Sequence, residues 1–241
     1  MIPALPPDSV YTSCYCEENI YLLSKSFFDD EEMRSLWEIY VIFVSNDNKT
    51  VALWHQKAAR STDAAVVWDY HVILILRSRK SRMKIERIGE EQHSWVYDFD
   101  TRLLAPCQWK EYLNLTFPDG LLHTYERRVQ FRVIPVVLFL QHFASDRSHM
   151  VSACLSNSDH TDVHEPQLVG QKIIESNALQ LKETDAIYFS PPPPYAPICG
   201  PRALQEGITH NLMSHYVVMV ETEGPYGVVL DREGVDRFFT Q

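Results

Sequence analysis

One helix-period segment followed by a succession of strand-period segments is the pattern that most restricts this chain. Residues 17–28 carry Ile20, Leu23 and Phe27 on a single helical face. Residues 40–44, 51–54, 66–76 and 95–100 follow, rich in β-branched and aromatic side chains, and read as strands. Asn46-Asp47-Asn48 is a turn signal, so the first two strands are predicted to form a hairpin. Residues 131–134 predict another strand. Pro135 then opens an apolar helix reaching about residue 143, because proline suits a first helical position. Residues 216–220 and 228–230 read as a closing strand pair, after which Asp231 can cap a short helix containing Val235 and Phe238. This order implies an α+β fold, an antiparallel sheet flanked by helices.

With 241 residues and 45% hydrophobic content, the chain can bury one large core and is read as a single domain over residues 1–241. Two polar stretches, 77–93 and 150–183, interrupt the periodic pattern and read as insertions. The basic cluster of the first (Arg77, Arg79, Lys80, Arg82, Lys84, Arg87) has Glu86, Glu90 and Glu91 nearby and reads as a solvated hairpin loop. The balance of 22 Lys+Arg against 32 Asp+Glu argues against nucleic acid or an anionic membrane as a partner. The apolar runs are too short to span a bilayer. The five cysteines (14, 16, 107, 154 and 199) show no framework spacing, and the first ten residues lack the features of a secretory signal. The expected location is the cytoplasm or nucleus.

Chemistry is suggested by three short segments. "YTSCYCEENI" (11–20) puts Cys16 where an extended lead-in becomes the first helix. There the positive end of the helix dipole favours a thiolate. If the chain is still extended at Cys14, the two thiols point apart and Cys14 is a packing residue. Glu17 and Glu18 suit the dipole but would hold the thiol protonated if turned inward, so both are expected to face solvent or a basic neighbour. "WDYHV" (68–72) carries His71 within a strand pattern, and "YDFD" (97–100) carries Asp98 and Asp100 in the next. Strand parity puts Asp69, Ile73 and Ile75 on the face of His71, and Asp98 with Asp100 on one face of their own strand. Antiparallel pairing could then place His71 beside an aspartate on one surface, with the helix of Cys16 laid across it; parity does not separate Asp98 from Asp100. A cysteine, a histidine and an aspartate suffice for covalent acyl transfer. A rival cluster of ligand-type residues, His160, Asp162, His164 and Glu165, lies in the second polar stretch and reads as a solvated loop.

These segments, with "VVWDYHV", "VYDFDT", "FASDRSHM" (143–150) and "PPPPY" (191–195), resemble in content and order the signature blocks of the protein N-terminal glutamine amidohydrolases. The C-terminal "YGVVLDREGVDRFF" is similar more loosely. The resemblance implies a thiol amidase with a papain- or transglutaminase-like fold and a Cys16–His71–Asp98 triad; the choice of Asp98 over Asp100 comes from it. It implies proteins or peptides beginning with glutamine as partners, monomeric action, a place in the N-degron pathway of protein degradation, and chemistry that needs no metal or organic cofactor. Compared with the family pattern, the 71–98 connection is longer and more basic, and the stretch after residue 150 is enlarged. A papain-like peptidase or a transglutaminase-like acyltransferase would use the same three residues.

Telling a terminal glutamine from an internal one requires a group that reads the free α-ammonium. Asp69 and Asp146 are the candidate carboxylates, with Tyr15 and Ser145 as hydrogen-bonding neighbours. The prolines of 191–194 read either as a polyproline ligand for another protein's aromatic groove or as an ordered wall of this cleft, and the resemblance favours the wall.

Overall fold

The fold was obtained as a computed structural model, which describes residues 2–79, 93–118, 129–150, 190–220 and 224–241. The chain divides into two compact units, Met1–Asp146 with Pro193–Gln241, and Arg147–Pro192. Of the second unit, the described part includes a 3-10 turn at Ser148–Met150. Most of the 77–93 and 150–183 stretches, with the His160 cluster, falls outside the described residues.

The larger unit begins with helices α1 (Cys16–Asp29) and α2 (Glu31–Leu36), then strands β1 (Trp37–Ser45), β2 (Val51–Leu53), β3 (Val66–Trp68), β4 (His71–Ser78), β5 (Ser94–Tyr97) and β6 (Cys107–Gln108). Helix α3 (Trp109–Thr116), strand β7 (Gln130–Pro135), helices α4 (Val136–His142) and α5 (Pro201–Gln205), strand β8 (Val228–Asp231) and helix α6 (Arg232–Thr240) complete it. Six strands form one sheet in the order β6-β5-β4-β1-β7-β8, and every pairing is antiparallel. The fold is therefore α+β with a helix-flanked antiparallel sheet, as the sequence pattern predicts.

Side-chain alternation builds two cores from this one sheet. Val41, Phe43, Val72, Leu74, Leu76 and Ile134 face one way, against Ile20, Leu23 and Phe27 of α1 and Val136, Phe139 and Leu140 of α4. Ile42, Val44, Ile73, Ile75, Val96 and Val133 face the other, against Trp109, Tyr112 and Leu113 of α3 and Val235 and Phe239 of α6. Central strands buried on both faces read as unbroken apolar runs, which is how "YVIFV" and "VILIL" look. Each large aliphatic or aromatic side chain so buried contributes about 1.5–3 kcal/mol.

Four expectations about elements are corrected. The turn at 46–48 does not join β1 to β2 in a hairpin: β1 lies between β4 and β7, while β2 pairs with β3 in a separate two-stranded sheet. Asn46 instead answers its own loop, accepting from the N–H groups of Asn48 and Thr50 and donating to Thr50 O. The apolar run at 66–76 is broken at Asp69 and Tyr70, where the chain leaves the small sheet for the large one. The strand at 95–100 ends at Tyr97, freeing Asp98 to bend. Finally, β8 pairs with β7 and not with 216–220. Leu212–Tyr216 is a π-helical turn, closed by the Val217 N–H on Leu212 O. The carbonyls of Val218 and Val220 are taken by the buried Arg132 guanidinium.

Among the described residues no helix is long and apolar enough to cross a membrane.

Candidate active site

The lead-in to α1 is not extended. Cys14 has φ of 68° and is exposed, with its sulfur 3.6 Å from Ser13 Oγ, so it is not a packing residue. The Asn19 side chain closes the loop: its amide donates to Thr12 O at 2.8 Å, and its oxygen accepts from the Thr12 N–H at 2.8 Å. Tyr15 is fully buried at the helix boundary. Cys16 follows as the first residue of α1 with intermediate exposure.

His71 opens β4, and its Nε2 lies 2.9 Å from Asp98 Oδ1, both side chains being almost wholly buried. The β4–β5 register pairs Leu74 with Tyr97, so His71 and Asp98 share a sheet face as parity anticipated. The bend after Tyr97 then turns Asp98 toward the ring. Asp98 is fastened on all sides. Oδ1 also accepts the Asp100 N–H at 2.8 Å, while Oδ2 accepts from Tyr112 Oη at 2.8 Å and from Gln56 Nε2 at 3.5 Å. The Trp68 indole stacks on the imidazole, 6.2 Å between centroids and 20° from parallel.

Burial works against charge on both members of this pair, but mutual attraction outweighs it. The Asp98 charge and hydrogen bond, with Asp100 behind, leave His71 above its ordinary value. The imidazole and the donors of Asp100 and Tyr112 leave Asp98 below the usual carboxylate range. With Asp98 ionised, Nε2 carries the proton to it, and Nδ1 is the nitrogen left for chemistry.

Cys16 packs against the core on the other side of the sheet. Helix α1 packs on the face of Val72 and Leu74, opposite that of His71, and not across the His71 surface as expected. At the end of β4 the two faces meet: the Val72 backbone amide, one residue from His71, favours the charged form of the Cys16 sulfur. The expected dipole-favoured thiolate is not the resting form. Burial first, then the negative charges of Glu17, Asp100 and Asp69, push the thiol well above its usual range against the Val72 N–H.

The placement of Glu17 and Glu18 is the largest departure from expectation. Both are fully buried and turned inward. Glu17 Oε2 accepts from Tyr70 Oη at 3.0 Å and from the Cys16 thiol at 3.7 Å, while Oε1 is buried without a hydrogen-bond partner. Burial pushes the Glu17 carboxyl up to about 7 despite those donors. Glu18 Oε1 accepts from Ser145 Oγ at 2.5 Å. The outward reading failed because α1 lays its first turn on the sheet.

The sequence model of the N-terminal glutamine amidase family matches residues 11–239. The chain belongs to this enzyme family. A protein N-terminal glutamine amidohydrolase of Arabidopsis thaliana is 33% identical over 210 residues, covering 87% of this chain and 75% of that protein. The Drosophila willistoni protein of the same name is 32% identical over 234 residues, covering 97% and 90%. The Homo sapiens one is 40% identical over 151 residues, covering 61% and 67%.

Within this member of the family, the remaining candidate residues are distributed unevenly. Asp69 is exposed at the break before β4, accepts the Tyr70 N–H, and acts electrostatically on Cys16. Ser145 is buried beside Glu18. Asp146 is half-buried and is not among the acids acting most strongly on Cys16. Pro193 is buried and Pro194 exposed. Gln56, Tyr112, Tyr70 and Glu17 also meet the candidate residues, through Asp98 and Cys16, and the sequence does not mark them as site residues. The adjacency of Glu17 to Cys16 was the one available signal; the other three come together only through tertiary pairing. His71, Asp98 and Asp100 place ligand-type atoms within 4.8 Å of one another, but the hydrogen bonds to both Asp98 oxygens already account for that closeness.

Proposed function

We propose that the chain converts the side-chain carboxamide of an N-terminal glutamine to a carboxylate, releasing ammonia, with Cys16 as nucleophile, His71 as acid and base, and Asp98 as the orienting acid. Membership of the N-terminal glutamine amidase family supports the substrate. The observation that carries the residue assignment is the buried 2.9 Å His71–Asp98 pair, which opens the strand whose Val72 amide acts on the Cys16 sulfur.

In this reading His71 Nδ1 takes the thiol proton and the sulfur adds to the carboxamide carbon. The oxyanion is met by the backbone N–H of Cys16, directed outward at a helix start. The imidazolium returns its proton to the nitrogen, the C–N bond breaks, and ammonia leaves a γ-glutamyl thioester. Water, giving a proton to Nδ1, adds to the thioester; the sulfur departs and N-terminal glutamate is released. No step calls on a metal or organic cofactor. Asp69, Asp146, Tyr15 and Ser145 are candidates for holding the substrate's first residue. A monomer working in the cytoplasm or nucleus, supplying N-terminal glutamate to the N-degron pathway, completes the proposal.

Peptides beginning with free and with acetylated glutamine, followed by ammonia detection, test it. Ammonia from the free peptide alone is expected. Cleavage of the peptide backbone, or transfer to an added amine, would replace this reading with a papain-like peptidase or a transglutaminase-like acyltransferase.

A further inference from the structure

The charges acting most strongly on the Cys16 thiol are acidic. The groups acting most strongly on its thiol are Glu17 on the same helix, Asp100 in the turn after β5, and Asp69 before β4. Glu18, the next residue of α1, is buried as deeply as Glu17. The donors acting on the Glu17 carboxyl are its own backbone N–H, a phenol and a thiol, none of them a cation. One oxygen of Glu17 is left without a donor in full burial. A buried carboxylate oxygen without a donor destabilises the free protein, so it is well placed to gain from an incoming cation or N–H donor.

Geometry limits which donor can arrive. Glu17 Oε2 lies 3.7 Å from the sulfur that would attack the substrate. Oε1, on the same carboxylate, is therefore within roughly 6 Å of that sulfur, from the dimensions of a carboxylate and ordinary contact distances. In an N-terminal glutamine the α-nitrogen is four bonds from the side-chain carbonyl carbon. With that carbon against the sulfur, a bent side chain brings the ammonium within hydrogen-bond reach of Oε1. An internal glutamine offers a neutral amide there, with the preceding chain attached.

Resting on the reading above, we propose that the Glu17 carboxylate receives the α-ammonium of the substrate's first residue. The arriving cation cancels the acidic field on Cys16 and so couples activation of the nucleophile to a free N-terminus. Acetylated or internal glutamines meet a sulfur still held in its protonated form. Asp69 and Asp146 are then secondary to Glu17 in selecting an N-terminus.

Glu17→Gln keeps the shape and removes the charge. Two measurements are taken: kcat/KM for a glutamine-starting peptide relative to its des-amino analogue, in which hydrogen replaces the α-amino group, and the iodoacetamide alkylation rate of Cys16 in the ligand-free protein at pH 7. Loss of a buried ion pair to substrate predicts a fall of about 30-fold or more in the preference for the free amine. Removal of the acidic neighbour predicts several-fold faster alkylation. A merely structural role would lower activity on both peptides and would not speed alkylation. Glu17→Asp, which retracts the charge without removing it, is expected to lose preference while alkylation stays near wild type. A preference unchanged in both variants, or alkylation no faster in Glu17→Gln, would overturn the inference. Absence of ammonia release from either peptide by the wild-type protein would instead strike the proposed function itself.

Discussion

His71 Nε2 and Asp98 Oδ1 lie 2.9 Å apart with neither side chain more than 2% exposed. An imidazole and a carboxylate held together out of water fix each other's protonation and orientation. Asp98→Asn removes the charge and can present an N–H to Nε2, favouring the wrong tautomer. Ammonia release from a glutamine-starting peptide is expected to fall on the order of 10³-fold or more, with the fold retained by circular dichroism.

The same pair sets a pH window for stability. His71 is raised from 6.5, so its contribution is complete below that value and is lost as pH rises through the higher folded value. Asp98 is lowered from 3.8, so its contribution is complete above that value and is lost as pH falls through the lower folded value. Denaturant titrations of Asp98→Asn against wild type should therefore differ most near about pH 5–6 and converge in stronger acid and in alkali.

Glu17 predicts the opposite slope. Its carboxyl titrates at about 7 in the folded protein and near 4.5 when solvated, so the native state binds the extra proton between these values. Wild-type stability should decline as pH rises across that interval. Glu17→Gln should escape the decline and be more stable above pH 7, on the order of a few kcal/mol, with the advantage vanishing below about pH 4. A melting-temperature difference that grows from pH 5 to pH 8 would show it. Stability held back at a site used for binding is a familiar exchange.

The two neighbouring thiols should separate cleanly. Cys16→Ala is expected to abolish turnover without disturbing the melting temperature by more than a few degrees. Cys14→Ser, at an exposed position, is expected to retain most activity. Equal loss in both, measured as ammonia release, would reverse the assignment of the nucleophile.

Gly227 gives a purely structural prediction. Its φ is +77°, and a Cβ there would sit 2.2 Å from Val133 O, where β8 meets β7. Gly227→Ala combines a left-handed backbone with a backbone clash and should destabilise by about 3 kcal/mol in urea unfolding.

Much of this was legible because periodicity speaks for packing. The helix face of Ile20, Leu23 and Phe27, and the apolar strands at 40–44 and 66–76, each announce the surface they bury. Pairing partners were less legible. The 46–48 turn signal was real but served a loop, since β1 finds longer partners in β4 and β7 than β2 could provide. At the site, His71 and Asp98 could be brought to one face by parity, yet the bend that selects Asp98 depends on Tyr112 and Gln56, remote in sequence. The inward turn of Glu17 was illegible for a different reason. Polar residues in a first helical turn normally face water, and only contact with Tyr70 and the sheet reverses that preference here.

The paired hydrogen bonds between Asn19 and Thr12 have a consequence for how the sulfur is aimed. Eight consecutive residues close on themselves, so a short stretch of chain shares with the sheet the task of placing the thiol. A lesion at Asn19 would leave a folded molecule in which the sulfur of Cys16, the proposed nucleophile, points elsewhere.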